Sequence, residues 1–418
     1  MNRKIFKVFL SLLLSISLII GNSVSFADTT DENPADPYFN FTDYDDTDED
    51  DYYFYYDDNE NNNENQENQD NQDNQDNPEE QEESEEEKPI DMTNVTLASY
   101  NVTSYLYPQY YYRAKTSYST DTVEIPINAD FDLDYVYGEN FSCKSSNSKI
   151  KVNAYVSDNK LHIYQTYKKK PNTGKTTLTI KIYGKEFTVK MTTKKLGISD
   201  QSYLLVKGKS KKLKVTGYNG KIVWKSSNPK IATVSKKGVV KGKKIGNVII
   251  TAKVGDSYLG CAVSVTTKKI RNVAKRATYM GTHWTYSQEK RNLSGYYDCS
   301  ALVWKAYNEK AGINFGYTGW PATADYEAFW CRDHKRMVKG GITYKKIEKM
   351  TINPGDLLFK SSSMKKKYAD IYHVEMFTGY FCHYVYSDGQ ACFSPTWAAR
   401  DTNYMFEDGS LLGRPMKY

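Results

Sequence analysis

Apolar and polar positions divide this chain into stretches with different periods. An apolar run ending at Ile20 follows the basic start Arg3, Lys4 and Lys7. Apolar residues are then sparse until about Thr93. From there short runs alternate apolar and polar, broken by Gly, Asn and Ser, which is the period of half-buried strands. Beyond about Ile270 the period becomes helical: Cys299, Leu302, Val303, Ala306 and Tyr307 fall on one face, with Asp298 or Ser300 as the cap and Gly312 as the stop. Pro354-Gly355-Asp356 then predicts a turn into the apolar strand Leu357-Leu358-Phe359. A second strand runs from Ile371 to Gly379, with Ile371, His373, Glu375 and Phe377 on one face and Tyr372, Val374 and Met376 on the other.

The first 27 residues, closing on Ser25-Phe26-Ala27, have the form of a secretory signal peptide. No later apolar run is long enough to span a membrane, and the last residues show no hydrophobic anchor or wall-sorting pattern. The mature protein is therefore expected outside the cell, free or held noncovalently at the wall.

Charge sharpens the division. Residues 28–87 hold 26 of the 51 acidic residues and no Lys or Arg, leaving 53 basic against 25 acidic residues from position 88 onward. The acidic, Asn/Gln-rich stretch 28–92 buries too little apolar surface to offset its ordering entropy, so a disordered spacer is expected there. Its Tyr52–Tyr56 aromatic cluster is either part of that tail or a sticky patch. The basic remainder is suited to polyanions.

The strand region repeats itself. Cys143-Lys144-Ser145-Ser146-Asn147-Ser148-Lys149-Ile150 returns as Trp224-Lys225-Ser226-Ser227-Asn228-Pro229-Lys230-Ile231, and Thr192-Thr193-Lys194-Lys195 returns as Thr266-Thr267-Lys268-Lys269. This predicts two small β-sandwiches, 93–196 and 197–270, with Ile222, Trp224, Ile231, Val234, Val239, Val248, Ile250 and Val263 as the core of the second. The second copy resembles the group-2 bacterial Ig-like domain; the first departs from it, with Cys143 where the tryptophan belongs. Such domains are either spacers or, given their lysine-rich edges, binders of wall teichoic acid or another anionic glycopolymer. Nucleic acid is not expected as a partner.

The chemistry is expected in 271–418. A sulfur at the first turn of a helix meets backbone N–H groups and the positive helix end, which favour negative charge. A thiolate nucleophile also needs an imidazole to carry its proton, and His373 is the histidine that lies within a clear strand pattern of this region. Asp298-Cys299-Ser300-Ala301-Leu302-Val303, then Pro354-Gly355-Asp356-Leu357-Leu358-Phe359, then His373-Val374-Glu375-Met376-Phe377-Thr378-Gly379, together resemble the NlpC family of papain-like peptidoglycan peptidases. The resemblance implies all-β Ig-like sandwiches followed by an α+β papain-like catalytic domain. It also implies cleavage of peptide bonds in peptidoglycan, typically γ-D-glutamyl to diamino acid linkages. Cys299 would be the nucleophile and His373 the base; Asp298 would support the turn, and the Cys299 N–H would serve the oxyanion.

The family's third polar residue follows the His strand, where this chain reads Cys392-Phe393-Ser394-Pro395 after an insertion, Tyr380–Gln390. Ser394, His383 and Glu375 are the candidates. Asp356 is expected to fix its turn, and Trp284, Tyr286, Trp320, Tyr326, Trp330 and Trp397 to line a groove or fill the core. Of the six cysteines, Cys382 and Cys392 flank a hairpin-type turn and are the plausible disulfide pair. Metal ligands do not cluster and there is no phosphate-cradling glycine loop, so no cofactor is expected. The same site would suit an N-acetylmuramoyl-L-alanine amidase or a transferase, and the missing third residue would suit a non-catalytic wall-binding or adhesive protein with a decayed enzyme domain.

Overall fold

The computed structural model describes residues 90–136, 138–167, 170–362, 368–399, 406 and 409–418. The signal-peptide and acidic-spacer assignments, through residue 89, lie outside the described residues. The described residues all belong to one compact unit.

The first strand region folds as two five-stranded sheets closed on a shared core. In one of them β1 (Asn101–Gln109), β2 (Gly174–Ile182) and β3 (Lys185–Lys195) are neighbours: β2 and β3 form an antiparallel hairpin, and β1 runs parallel to β3 with Lys190 opposite Asn101. Leu161, Ile163, Leu178, Ile180, Val189 and Met191 are fully or almost fully buried between the sheets, and Met92 joins them.

The second region repeats this arrangement. Here β4 (Ser202–Val206) runs parallel to β7 (Ser257–Thr266), which pairs antiparallel with β6 (Gly246–Val254), which in turn pairs with β5 (Ile222–Ser226). A three-stranded sheet, 210–212, 239–242 and 232–234, closes the sandwich. Cys143 and Trp224 occupy equivalent edge strands, Cys143 opposite Ile180 and Trp224 opposite Ala252. The parallel pairing of first and last strand therefore survives where the sequence pattern fades. Gly238 marks what the tryptophan requires: its φ is +76°, and a Cβ there would lie 2.8 Å from the Trp224 ring.

Strand β7 runs into helix α1 (Lys268–His283) with one residue between them, Thr267, whose hydroxyl caps the helix by accepting from the Ile270 N–H at 3.2 Å. Helices α2 (Cys299–Ala311), α3 (Ala324–Asp333) and α4 (Tyr344–Glu348) follow. A four-stranded antiparallel sheet of β8 (Leu357–Ser361), β9 (Ile371–Val385), β10 (Ala391–Trp397) and β11 (Leu411–Gly413) completes the fold, in the order β10-β9-β8-β11. Leu357, Phe359, Val374 and Met376 pack with Val273 of α1 and Val303 and Tyr307 of α2. The described chain is thus β-rich, with four α-helices gathered at its C-terminal end. Among the described residues no helix is long and apolar enough to cross a membrane.

The stretch read as an insertion, Tyr380–Gln390, is a prolongation of β9 that turns back into β10, and it docks on the sandwiches. Cys382 N–H donates to Gln201 O at 3.0 Å, and Tyr110 N–H donates to His383 O at 2.9 Å. Phe377, Tyr380, Cys382 and Trp397 share a core with Ile249 and Ala262 of the second sandwich. Asn247 seals the edge, its Nδ2 donating to Met350 O and Ile352 O at 2.8 Å each. The expected Cys382–Cys392 disulfide is corrected: both thiols are free, and across the hairpin Cys382 faces Phe393 while Cys392 faces Tyr384.

Candidate active site

Asp298 makes the first turn of α2 by leaving the helix early. Its backbone is extended (φ −115°, ψ −175°), and its carboxylate accepts from Ala301 N–H at 2.7 Å, so Asp298 and not Ser300 is the cap. The other end stops at Gly312 in the left-handed conformation (φ 72°). Arg291, which sequence reasoning passed over, fastens this turn to the rest of the site. Its Nε lies 2.8 Å from Asp298 Oδ2, and its Nη2 donates to Ser300 Oγ at 2.8 Å and to Ala322 O, just before α3, at 2.6 Å.

Tyr307, two turns along α2, donates its hydroxyl to Gly355 O at 2.5 Å. This docks the Pro-Gly-Asp turn on α2. Asp356 is completely buried, held by Arg414 through Nε–H to Oδ1 at 2.7 Å and Nη2–H to Oδ2 at 2.6 Å. Its role is structural, as expected, because both oxygens are spent on that fork and on Asn353 N–H at 2.9 Å.

On β9, His373 Nε2 lies 2.7 Å from Glu375 Oε1. Both side chains are largely out of water, His373 12% and Glu375 4% exposed. Cys299 lies close enough to the same imidazole to bear on its charge. Burial alone would lower the pKa of His373, but interactions with Cys299 and Glu375 outweigh it and hold the imidazole at about 9. One end of this line can take a proton from sulfur while the other steadies the positive charge that results.

Of the three candidates for the orienting residue, Glu375 is the one in contact with His373. Ser394 and His383 are brought together elsewhere: Ser394 Oγ lies 2.7 Å from His383 Nε2, and His383 Nδ1 lies 2.9 Å from Tyr110 O. They belong to the contact with the first sandwich, because the prolonged β9–β10 hairpin carries both away from His373.

The aromatic set divides. Trp397 is wholly buried core, and Trp284 is flanked by the cations of Arg276 and Lys305 at 4.7 and 5.1 Å. Trp330 stacks on His334 at 4.0 Å, whereas Trp320 and Tyr326 stand 63% and 49% exposed. A further acid went unnoticed in the sequence. Glu327 on α3 is fully buried, and among the described residues neither carboxyl oxygen has a hydrogen-bond partner. Burial first, then electrostatic repulsion from the neighbouring Cys299 and Asp298, push its pKa well above the carboxylate range. Among the described residues no group of His, Cys, Asp and Glu is arranged to hold a metal ion.

Residues 192–264 match the bacterial Ig-like domain (group 2) family. No curated protein matches the chain. Among solved structures, domains 4 and 5 of the S-layer protein SbsC share 19% identity, with 31% of this chain and 78% of that chain covered and a TM-score of 0.17. The C-terminal 282-residue fragment of intimin, solved with the intimin-binding domain of its translocated receptor, shares 13% identity over 52% of this chain and 78% of that one, with a TM-score of 0.24. Invasin, a bacterial integrin-binding protein, shares 11% over 41% of this chain and 38% of that one, also at 0.24. The family match supports the Ig-like assignment of the second sandwich and does not extend into the C-terminal region.

Proposed function

We propose that the chain is a secreted cell-wall hydrolase in which residues 271–418 are an NlpC-type, papain-like cysteine peptidase acting on peptidoglycan stem peptides, and the Ig-like sandwiches hold it at the wall. The observation that carries this reading is the line Cys299–His373–Glu375. A structural cysteine needs no imidazole, and a structural histidine needs no carboxylate behind it.

In this mechanism Cys299 gives its proton to His373 and the thiolate attacks the scissile carbonyl carbon. The backbone N–H groups at the start of α2 face the developing oxyanion. The C–N bond breaks as His373 passes its proton to the leaving amine, leaving an acyl thioester on Cys299. Water then loses a proton to His373 and attacks the thioester, the acid departs, and the proton returns to sulfur. Glu375 keeps the ring oriented throughout.

The resemblance points to γ-D-glutamyl to diamino acid bonds. An amidase or transferase would use the same groups, and the masses of digested muropeptides separate them, since an amidase leaves intact stem peptides and free glycan. The comparisons favour a different reading, a wall-binding or adhesive protein with a decayed enzyme domain, because the family they match is the Ig-like one. Digestion of purified sacculi by the full chain and by Cys299→Ala decides between them: products from the wild type alone support the peptidase, and products from neither support the adhesive protein.

A further inference from the structure

Residues 201–255 contain fourteen lysines, no arginine and no acidic residue. Among the described residues the one ion pair made by these lysines is Lys211 to Asp200, at 3.0 Å. The three-stranded sheet of the second sandwich gathers several of the others. Register places Lys212 opposite Val239 and places Lys241 between Ser210 and Thr233, while the alternate residues Val240 and Ala232 are fully buried. Gly242 N–H donates to Lys209 O at 3.1 Å, and Lys243 N–H donates to Ile231 O at 2.7 Å, which brings both flanking turns to the same sheet. Lys209, Lys212, Lys241 and Lys243 are all exposed. The opposite sheet of the sandwich is the one that packs on the C-terminal region, through Ile249 and Ala262, so the lysine sheet faces away from that contact.

We infer that this sheet is a docking surface for a linear, phosphate-bearing glycopolymer. Neighbouring strands lie about 4.8 Å apart and successive residues about 3.3 Å. Ammonium groups at that spacing fall within about one Debye length (~8 Å) at physiological salt and act on a polyanion together. The residue choice narrows the ligand. Lysine supplies point charges without the planar fork that arginine offers to a fixed partner. The aromatics of the region, Tyr203, Tyr218 and Trp224, are partly buried against the sandwich core, which limits the ring face left for bases to stack on. A flexible chain of phosphodiesters without bases fits both features. This inference stands apart from the peptidase reading and survives its failure.

The test is equilibrium binding of the full chain to poly(glycerol phosphate) across a salt series, beside single-stranded oligodeoxythymidylate matched in phosphate number. The comparison variant carries Lys209→Gln, Lys212→Gln, Lys241→Gln and Lys243→Gln, all exposed positions whose loss leaves the core intact. The expected result is binding whose log K falls with log salt. The four substitutions should flatten that slope by about 3, at ~0.7 per phosphate contact, and weaken binding at least about tenfold at low salt. An unchanged slope in the variant would overturn the inference, as would a preference for the oligonucleotide. Failure of the full chain to bind would overturn it too.

Discussion

Glu375 stands two residues from His373 on one strand, and its Oε1 lies 2.7 Å from the imidazole Nε2. Neighbours two apart on a strand point the same way, so the carboxylate reaches the ring without help from another element. With that partner and Cys299, the imidazolium persists to about pH 9. Glu375→Gln should move the alkaline limb of kcat/KM down toward the ordinary histidine range and lower kcat/KM about 10- to 100-fold. Because the folded-state pKa is raised, Cys299 and Glu375 together stabilise the charged imidazole fully below about pH 6.5, and that contribution is lost as pH rises through about 9. Urea midpoints of wild type and Glu375→Gln should differ at pH 6 and converge by pH 10.

Asp298 serves two structural needs, as helix cap and as counter-charge to Arg291. Asp298→Ala removes both and should cost about 2–4 kcal/mol, with Cys299 alkylation slowed in whatever remains folded. Asp298→Asn keeps the cap and should cost less, so thermal unfolding of the two variants separates cap from charge.

Glu327 has the opposite pH signature. Neutral in the folded state and ionised when unfolded, it favours the unfolded chain increasingly as pH rises above the ordinary carboxylate value. Glu327→Gln should therefore raise stability at pH 8 and change little at pH 4. A variant less stable than wild type at pH 8 would mean that the carboxyl has a role that a neutral amide cannot fill.

How much of this was legible beforehand depends on which residues carried a local signal. The second sandwich was readable because Trp224, Ser226 and Ile231 sit in a repeated motif whose spacing matches its strands. The Asp298 cap and the Gly312 stop were readable because each acts within one turn of its own helix. Arg291 was not, since its partners Asp298, Ser300 and Ala322 meet it only after α2 and α3 have packed. Glu327 lies in Ala324-Asp325-Tyr326-Glu327, where an acid in a first helical turn usually faces water. Ser394 and His383 drew attention as candidates because sequence distance cannot show that β9 and β10 continue past Gly379 and carry them to the first sandwich.

That continuation has its own consequence. Phe377, Tyr380 and Trp397 complete a core with Ile249 and Ala262, so 271–418 expressed alone would expose a large apolar face. It should associate or unfold at concentrations where the full chain stays monomeric, as sedimentation would show. Asn247→Ala, which leaves Met350 O and Ile352 O unpaired, should cost the full chain about 1–3 kcal/mol.

The central claim is that Cys299, His373 and Glu375 form a working nucleophilic site, and the most direct measurement is digestion of purified peptidoglycan sacculi by the full chain, read by mass. Cleaved stem peptides are expected from the wild type, none from Cys299→Ala, and a reduced yield from Glu375→Gln. Equal products from wild type and Cys299→Ala, or none from the wild type on sacculi of several stem-peptide chemistries, would contradict it.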